Sequence, residues 1–271
     1  MRLQLRPYQQ DALDRVNARL GEGVRRQLGV AATGLGKTVI FCALAEQLGL
    51  RTLILAHRDE LINQAVKEII QLWPDLPSIG VVKGTENQVH AQIVVGSVQT
   101  ISRPNRLARL CPQFDPFTDP EPGLGGRPIG LVIVDEAHHA ASASYKRILD
   151  WCGTGLPGGP VLYGTTATPQ RGDGQGLDGV FDEIVFNYDI LWGIRAGYLS
   201  DVRGQRVTIE GLNVARVKVN HGDYQVGDSG RALHEAGAPW AIAQAIRQYA
   251  PNRLTLAFLP TVATAEETAE A

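Results

Sequence analysis

The feature that most constrains the fold is a glycine-rich segment between two apolar runs. Residues 28–32 (LGVAA) have the length of a short buried strand, and TGLGKT follows at residues 33–38. Residues 39–50 then have the composition of a buried helix. Strand, glycine loop and helix in this order predict part of an α/β domain, in which strands and helices alternate along the chain.

The same alternation continues beyond this segment. Further apolar strands are predicted at residues 51–56, 79–82, 92–95, 130–134 and 160–163, and helices at 6–20, 60–73, 98–110 and 144–151. Strands that are apolar on both faces and alternate with helices are typical of a parallel sheet with helices on both sides. We therefore expect a doubly wound α/β domain that ends near Ser200, where partly alternating, extended segments begin.

Two later parts of the chain differ from this pattern. Residues 112–128 are rich in proline and glycine and are expected to form a surface excursion rather than a regular element. Residues 239–249 fit a helix, and residues 253–259 (RLTLAFL) fit a new apolar strand, followed by a helix-forming stretch at 261–271. One strand and one helix cannot form a core of their own.

Composition limits the class of protein without indicating an activity. With 271 residues, 44% hydrophobic residues, 20% charged residues and a net charge of -2, the chain is globular rather than disordered. No apolar run reaches the roughly 20 residues that cross a bilayer, and the N-terminal residues lack the apolar core of a secretory signal. The 3 cysteines lack metal-type spacing and indicate a reducing compartment, so we expect a cytoplasmic protein.

The glycine loop has the residues needed to hold phosphate groups. Its backbone N–H groups at residues 33–36 can surround phosphate oxygens at a helix N-terminus. Lys37 can reach the β- and γ-phosphates, and the Thr38 hydroxyl can bind Mg²⁺. The strict pattern G-x-x-x-x-G-K-[ST] is missed at one position, where Ala31 replaces the first glycine. The alternative is a glycine-rich turn that carries an exposed lysine. The residues assigned to the nucleotide here are Thr33, Gly34, Leu35, Gly36, Lys37 and Thr38.

A second group of functional residues, Asp135-Glu136-Ala137-His138, directly follows the apolar strand at 130–134. A carboxylate at the C-terminal end of a parallel strand lies in the crevice where such sheets bind ligands. Asp135 can hold Mg²⁺ through water, which leaves Glu136 to orient or deprotonate an attacking water molecule. The alternative is a helix start with favourable acidic residues.

These two motifs and several others resemble the motifs of superfamily-2 helicases and translocases. AATGLGKT and DEAH resemble motifs I and II, and the other matches occur in the expected order. They are RPYQ (6–9, Q motif), AHRDEL (56–61, motif Ia), VGSVQT (95–100, motif Ic) and TTATP (165–169, motif III). Within the superfamily, the chain is most similar to the RadD-like group and to XPB-type and restriction-enzyme helicases. The resemblance implies a RecA-like P-loop NTPase domain that hydrolyses ATP with Mg²⁺.

The resemblance also implies roles for residues outside the phosphate loop. Gln9 is expected to recognise the adenine edge, with Arg6 nearby, although a surface helix residue is the alternative. His138 is expected to act with the catalytic residues Lys37, Asp135 and Glu136 and to contact Thr166 and Thr168, which would couple the ATP site to nucleic acid. Residues expected to contact the backbone of a nucleic acid, DNA rather than RNA, are Arg58, Gln99 and Thr100. Arg58 could instead form a surface ion pair.

The resemblance is incomplete at the C-terminal end. Superfamily-2 helicases close two RecA-like domains over ATP, and the second supplies arginine fingers from a motif Q-x-x-G-R-x-x-R, which this sequence lacks. We therefore expect a first RecA-like domain at 1–200, a connecting segment at 201–250 and the truncated start of a second RecA-like domain at 251–271. The expected function is an ATP-dependent helicase or translocase. The alternatives are the motor subunit of a restriction system and a non-enzymatic, nucleotide-dependent nucleic-acid-binding subunit.

Overall fold

The computed structural model describes residues 4–57, 59–73, 78–111, 128–168, 176–220 and 223–271. The chain divides into two compact units, Met1–Asp201 and Val202–Ala271. The proline-rich excursion predicted at 112–128 lies outside the described residues, apart from Pro128.

The first unit is built on an eight-stranded sheet with the order β4-β3-β5-β2-β6-β7-β1-β8. Its strands pair in parallel except for β3 and β4, which are antiparallel. The parallel α/β sheet predicted from the sequence is therefore confirmed. The strands are β1 (Arg26–Ala31), β2 (Thr52–Ala56), β3 (Ile79–Lys83), β4 (Glu86–Asn87), β5 (Ile93–Ser97), β6 (Leu131–Asp135), β7 (Val161–Thr166) and β8 (Glu183–Tyr188).

The helices of this unit lie before, between and after the strands along the chain. They are α1 (Pro7–Gly21), α2 (Lys37–Leu48), α3 (Asp59–Leu72), α4 (Val98–Ile101), α5 (Pro104–Leu110), α6 (Ala143–Trp151) and α7 (Ile190–Arg195), with a 3₁₀ turn at Ala137–His139. The helix predicted over much of 98–110 is divided in the structure into α4 and α5, with a break at residues 102–103. Pro104 disfavours helical backbone at the residue before it, and Arg103 is accordingly extended, with φ -74° and ψ 132°.

The two faces of the sheet are covered by separate apolar layers. Along β2, Ile54 and Ala56 pack into the layer that contains α1, α2 and α3. Leu53 and Leu55 point the other way and pack into the layer of α4, α5 and α6. This alternation follows from the period of two in a strand, and it explains why the strands are apolar along their whole length.

The topology brings the predicted motifs to one edge of the sheet. Because β1, β2, β5, β6 and β7 are parallel neighbours in the order β5-β2-β6-β7-β1, their carboxyl ends open on the same side. The glycine loop follows β1, DEAH spans the end of β6, and Thr166 ends β7. Ligands of open α/β sheets bind at this edge.

The second unit is smaller, and its longest elements are helices. It contains a 3₁₀ turn at Val214–Arg216, the pair β9 (Val219–Asn220) and β10 (Asp223–Tyr224), and the helices α8 (Val226–Glu235), α9 (Ala238–Tyr249) and α10 (Val262–Glu270). None of the described helices in either unit is both long and apolar enough to cross a membrane.

The strand expected at 253–259 does not form, although the sequence alternates as a strand would. Leu254, Leu256 and Phe258 are 102%, 83% and 94% exposed, and no described strand pairs with this segment. A strand gains its stability from a hydrogen-bonded neighbour and from burial of one face, and this segment has neither.

Candidate functional site

The glycine loop has the left-handed backbone that its glycines permit. Gly34 has φ +89° and Gly36 has φ +67°, a region that side-chain-bearing residues rarely adopt. Gly36 is the N-cap of α2, and Lys37 is the first residue of that helix. The loop therefore places the positive N-terminal end of α2 at the carboxyl edge of the sheet, which suits an anion.

The segment RPYQ packs directly against this loop. The Tyr8 hydroxyl donates a hydrogen bond of 2.7 Å to the carbonyl of Leu35. Gln9 is buried, and its Oε1 accepts a 2.9 Å hydrogen bond from the backbone N–H of Arg6. The alternative interpretation of Gln9 as a surface helix residue is therefore wrong. Its role towards adenine stays a prediction.

Replacing Gly36 with alanine is expected to disturb both the loop and Gln9. A left-handed backbone costs an L-residue about 1–2 kcal/mol, and the new Cβ would lie 2.7 Å from the Gln9 Nε2 atom. Gly49, with φ +61°, is a matched control, because a Cβ there meets no atom within 4 Å. Both variants should lower the melting temperature, but only Gly36→Ala should weaken ATP binding in a thermal-shift titration. Equal weakening by Gly49→Ala would show that the Gln9 contact is not the cause.

An aromatic cluster that the sequence did not indicate supports the same segment. The Tyr8 ring lies 5.8 Å from that of Tyr188, 5.4 Å from that of Trp192 and 4.4 Å from that of Tyr198, measured between centroids. The Arg6 guanidinium lies over the Tyr198 ring at 5.8 Å, a cation–π distance. Arg6 and Tyr8 lie near the start of the first unit, and the other three residues lie near its end. No short sequence motif therefore contains them all.

The acidic pair lies opposite the loop. The Lys37 Nζ atom is 3.8 Å from Glu136 Oε1, and the side chain of Lys37 is only 11% exposed. Asp135 Oδ1 accepts a 3.0 Å hydrogen bond from the backbone N–H of Glu136. Glu136 is the only described non-glycine residue with a positive φ, +51°. Because such strain persists only where the surrounding structure imposes it, it is a feature of functional sites.

The pKa of Asp135 is raised, chiefly because the carboxyl is buried and also because the Glu136 charge is close. The folded protein therefore disfavours a charge that the unfolded chain carries readily. By linkage, Asp135 lowers the stability progressively as the pH rises above the unfolded pKa of about 4.

Neutralising Asp135 is therefore expected to stabilise the protein in the absence of nucleotide. At pH 7, Asp135→Asn should have a higher melting temperature than the wild type. Asp150→Asn, on the exposed face of α6, is the control and should melt as the wild type does. A lower melting temperature for Asp135→Asn would contradict the argument from burial.

The loop and the acidic pair line one cleft of about 510 Å³, within the usual size of a ligand pocket. Predicted residues that line it are Thr33, Gly34, Gly36, Lys37, Thr38, Asp135 and Glu136. Glu68 and Gln71 of α3 also line it and were not predicted. The apolar residues of α3, such as Ile62, Ala65 and Ile69, recur at helical spacing and place these two residues away from the core. That spacing does not indicate which polar residues of the helix face the cleft.

His138 connects the acidic pair to the end of β7. Its Nδ1 atom lies 3.3 Å from Glu136 Oε2 and 3.3 Å from Thr166 Oγ1. The Thr166 hydroxyl donates to the Thr168 carbonyl at 3.0 Å and accepts from the Thr168 N–H at 3.2 Å. The structure thus brings together the three residues for which coupling was predicted.

Two further histidines extend this group. The rings of His138 and His139 are 4.1 Å apart, and the His139 ring stacks on that of His57 at 4.6 Å with an interplanar angle of 26°. His57 directly follows β2, so the stack links the ends of β6 and β2. None of the sequence motifs assigned a role to His139.

The residues expected to contact nucleic acid follow β2 and β5, which are neighbours in the sheet. Gln99 is exposed on α4. Thr100 is buried, and its Oγ1 accepts a 3.2 Å hydrogen bond from the Gly84 N–H. Arg58 lies outside the described residues. The nucleic-acid role of all three stays a prediction.

A parallel sheet with a phosphate loop and an Asp-Glu pair at one edge is the arrangement of the ATP-binding domain of superfamily-2 helicases. Residues 2–171 match the family described as Type III restriction enzyme, res subunit. This match covers more than half of the chain, and the chain belongs to this family.

Two curated relatives agree with that assignment. The chain is 35% identical over 236 residues to IRC3 of Saccharomyces cerevisiae, named as an ATP-dependent helicase, with 82% of this chain and 32% of the relative covered. It is 29% identical over 174 residues to the DNA 3'-5' translocase XPB2 of Sulfurisphaera tokodaii, with 64% and 33% covered. The chain thus spans about a third of the length of these relatives.

Solved structures with low sequence identity share the fold. The Hef helicase domain of Pyrococcus furiosus has a TM-score of 0.57 at 19% identity, covering 98% of this chain and 52% of the other. The Type ISP restriction-modification enzyme LlaGI, solved with a DNA substrate mimic, has a TM-score of 0.54 at 19% identity, covering 73% and 18%.

Proposed function

We propose that this chain is the ATP-binding half of an ATP-dependent helicase or translocase that acts on DNA. The observation that carries the proposal is the meeting of Lys37 and Glu136, 3.8 Å apart, in one cleft. The two residues are distant in the sequence and belong to the two motifs that a nucleoside triphosphatase requires.

The residues of the cleft fit a magnesium–nucleotide complex. Backbone N–H groups and Lys37 surround the position of the phosphates, and the Thr38 hydroxyl and the Asp135 carboxylate offer the hard oxygen ligands that Mg²⁺ prefers. When bound, Mg²⁺ neutralises charge on the β- and γ-phosphate oxygens. It would also favour the charged form of Asp135, which burial disfavours.

We assign distinct tasks to the side chains around the reacting phosphate. Lys37 binds the β- and γ-phosphates and leaves its contact with Glu136 as it does so. Glu136 orients or deprotonates the attacking water, and His138, 3.3 Å away, holds the carboxylate in place. At the far end of the nucleotide, Gln9 offers its amide to the adenine edge, with Arg6 nearby.

The nucleic-acid contacts and the coupling are proposed on the same basis. Arg58, Gln99 and Thr100 contact a DNA backbone and position it without reading sequence. Thr166 and Thr168 transmit the state of the ATP site through His138. The supporting observation is the contact of His138 with both Glu136 and Thr166.

We propose the domain organisation stated from the sequence, with a RecA-like domain at 1–200, a connecting segment at 201–250 and the start of a second RecA-like domain at 251–271. In this scheme the arginine fingers belong to the second domain and are worth about 10³–10⁵ in rate in related hydrolases.

A cytoplasmic location is also proposed, although one fungal relative is named as mitochondrial.

The proposal is tested with the 271-residue chain itself. Binding of a fluorescent ATP analogue should require Mg²⁺ and disappear with EDTA, whereas hydrolysis should be slow and little stimulated by single-stranded DNA. Robust DNA-stimulated turnover would contradict the domain scheme. Absence of nucleotide binding would contradict the assignment of the cleft.

The motor subunit of a restriction system is a second candidate, and the match to the restriction-enzyme family favours it. A nuclease or methyltransferase encoded beside this chain would support it. Copurification of such a subunit with the tagged chain is the corresponding measurement, and a chain that purifies alone would favour the first candidate.

A further inference from the structure

Cys111 and Cys152 lie side by side at the ends of two helices, outside the nucleotide cleft. Their Sγ atoms are 3.3 Å apart. Cys111 is the C-cap of α5, and Cys152 is the C-cap of α6. Both are partly buried against the apolar layer that contains these helices.

The backbone around the pair is fixed by hydrogen bonds. The N–H of Cys111 donates to the Leu107 carbonyl at 2.9 Å, and the N–H of Cys152 donates to the Ile148 carbonyl at 2.9 Å. In addition, the Trp151 Nε1–H donates to the Cys111 carbonyl at 3.1 Å, which ties the end of α5 to α6. The closeness of the two sulfurs is therefore built into the packing of the helices.

A buried cation lies near the two thiols. Arg51 is 4% exposed, and its guanidinium donates to the carbonyls of Val89 and Leu110. The hydrogen bond from the Cys152 thiol and the charge of Arg51 lower the pKa of Cys111. The pKa of Cys152 is raised, because its proton is held in that hydrogen bond and its thiol is buried. Cys111 is thus the nucleophilic member of the pair.

We propose that Cys111 and Cys152 are an oxidation site at which hydrogen peroxide converts two thiols into a disulfide. The Cys111 thiolate attacks one peroxide oxygen, which gives a sulfenic acid and releases hydroxide that takes up a proton as water. The Cys152 sulfur then attacks the sulfenic sulfur, its proton leaves with the hydroxyl group as a second water, and the S–S bond forms. Two thiols are oxidised and one peroxide is reduced to two waters.

The bond requires only a small movement. The sulfurs of a disulfide are about 2.0 Å apart, so the two atoms approach by roughly 1.3 Å when the bond forms. The crosslink joins positions 41 residues apart in the sequence. It would connect α5, which follows the Gln99 segment, to α6, which follows DEAH, and restrict the unfolded chain.

The third cysteine is an internal control. Cys42 lies on α2 in the opposite apolar layer, is 4% exposed, and has a raised pKa because it is buried. It has no thiol partner among the described residues and is almost buried, so it should react more slowly than the pair.

The experiment treats the folded 271-residue chain with hydrogen peroxide, blocks free thiols with an alkylating reagent and maps the peptides by mass spectrometry. The expected product is a dithiothreitol-reversible crosslink between Cys111 and Cys152, formed equally in Cys42→Ser. In Cys152→Ser, Cys111 should instead give a sulfenic acid that dimedone traps. The proposal is overturned if Cys42 reacts as fast as Cys111, or if the crosslink forms only in urea.

Thermal unfolding gives a second measurement. The oxidised wild type should melt about 5 °C or more above the reduced protein, because the crosslink restricts the unfolded chain. Cys111→Ser and Cys152→Ser should show no such peroxide-dependent increase. An equal increase in these variants would assign the effect to another residue and contradict the site.

Discussion

Lys37→Ala is expected to weaken ATP binding by about 10- to 100-fold, the loss of a charge-assisted hydrogen bond to phosphate. It should also reduce hydrolysis by about 10²–10³-fold, because the lysine ammonium group stabilises negative charge that develops on the phosphate oxygens in the transition state. The variant also removes the Lys37 ammonium group that lies 3.8 Å from the Oε1 atom of Glu136. Affinity is measured by titration of a fluorescent ATP analogue into this chain.

Two control variants test whether the positive charge must lie at position 37 and whether any positive charge at that position is enough. Lys146→Ala removes a lysine from the exposed face of α6, outside the cleft, and should bind ATP as the wild type does. Lys37→Arg keeps the charge but replaces a compact ammonium with a planar fork, and should restore binding only in part. Unchanged affinity in Lys37→Ala would contradict the assignment of the phosphate loop.

The sequence predicted the strands well where they are short apolar runs with polar ends. β2 and β6 were expected at 51–56 and 130–134 and lie at Thr52–Ala56 and Leu131–Asp135. It also predicted that the glycine loop and DEAH meet, because both follow strands of a parallel sheet. It could not predict that β7 lies between β6 and β1, since strand order depends on contacts between distant segments.

Other features of the site depend on the same kind of distant contact. The cluster of Tyr8, Trp192 and Tyr198 and the stack of His57 on His139 each join residues from separate segments. A single sequence carries no signal for such pairs. The break before Pro104 is different, because the proline itself was the available signal.

The segment at 253–259 shows the limit of periodicity. Its apolar residues alternate as in a strand, yet they are exposed and unpaired among the described residues. The pattern indicates what the segment could do beside a suitable neighbour, and the neighbour decides whether a strand forms.

Glu136→Gln is expected to reduce ATP hydrolysis by about 10²–10⁴-fold, the usual contribution of a general base. ATP binding should be retained or become tighter, because the amide removes a negative charge from a cleft that receives a polyanion. The glutamine keeps the size of the side chain, so the effect is chemical rather than steric. Turnover is measured on a longer protein in which a second RecA-like domain completes the site, and affinity is measured separately.

The matched control for Glu136 is Glu68→Gln. Glu68 lines the same cleft from α3, so this variant removes the same charge without removing the proposed base. If Glu136 activates water, Glu68→Gln should keep turnover within a few-fold of the wild type while sharing any gain in affinity. If both variants lose turnover equally, the carboxylates act through the electrostatic field of the cleft, and the assignment of Glu136 as the base is wrong. The comparison uses turnover and ATP affinity together. Partial unfolding would lower both turnover and ATP binding, whereas Glu136→Gln should lower turnover alone.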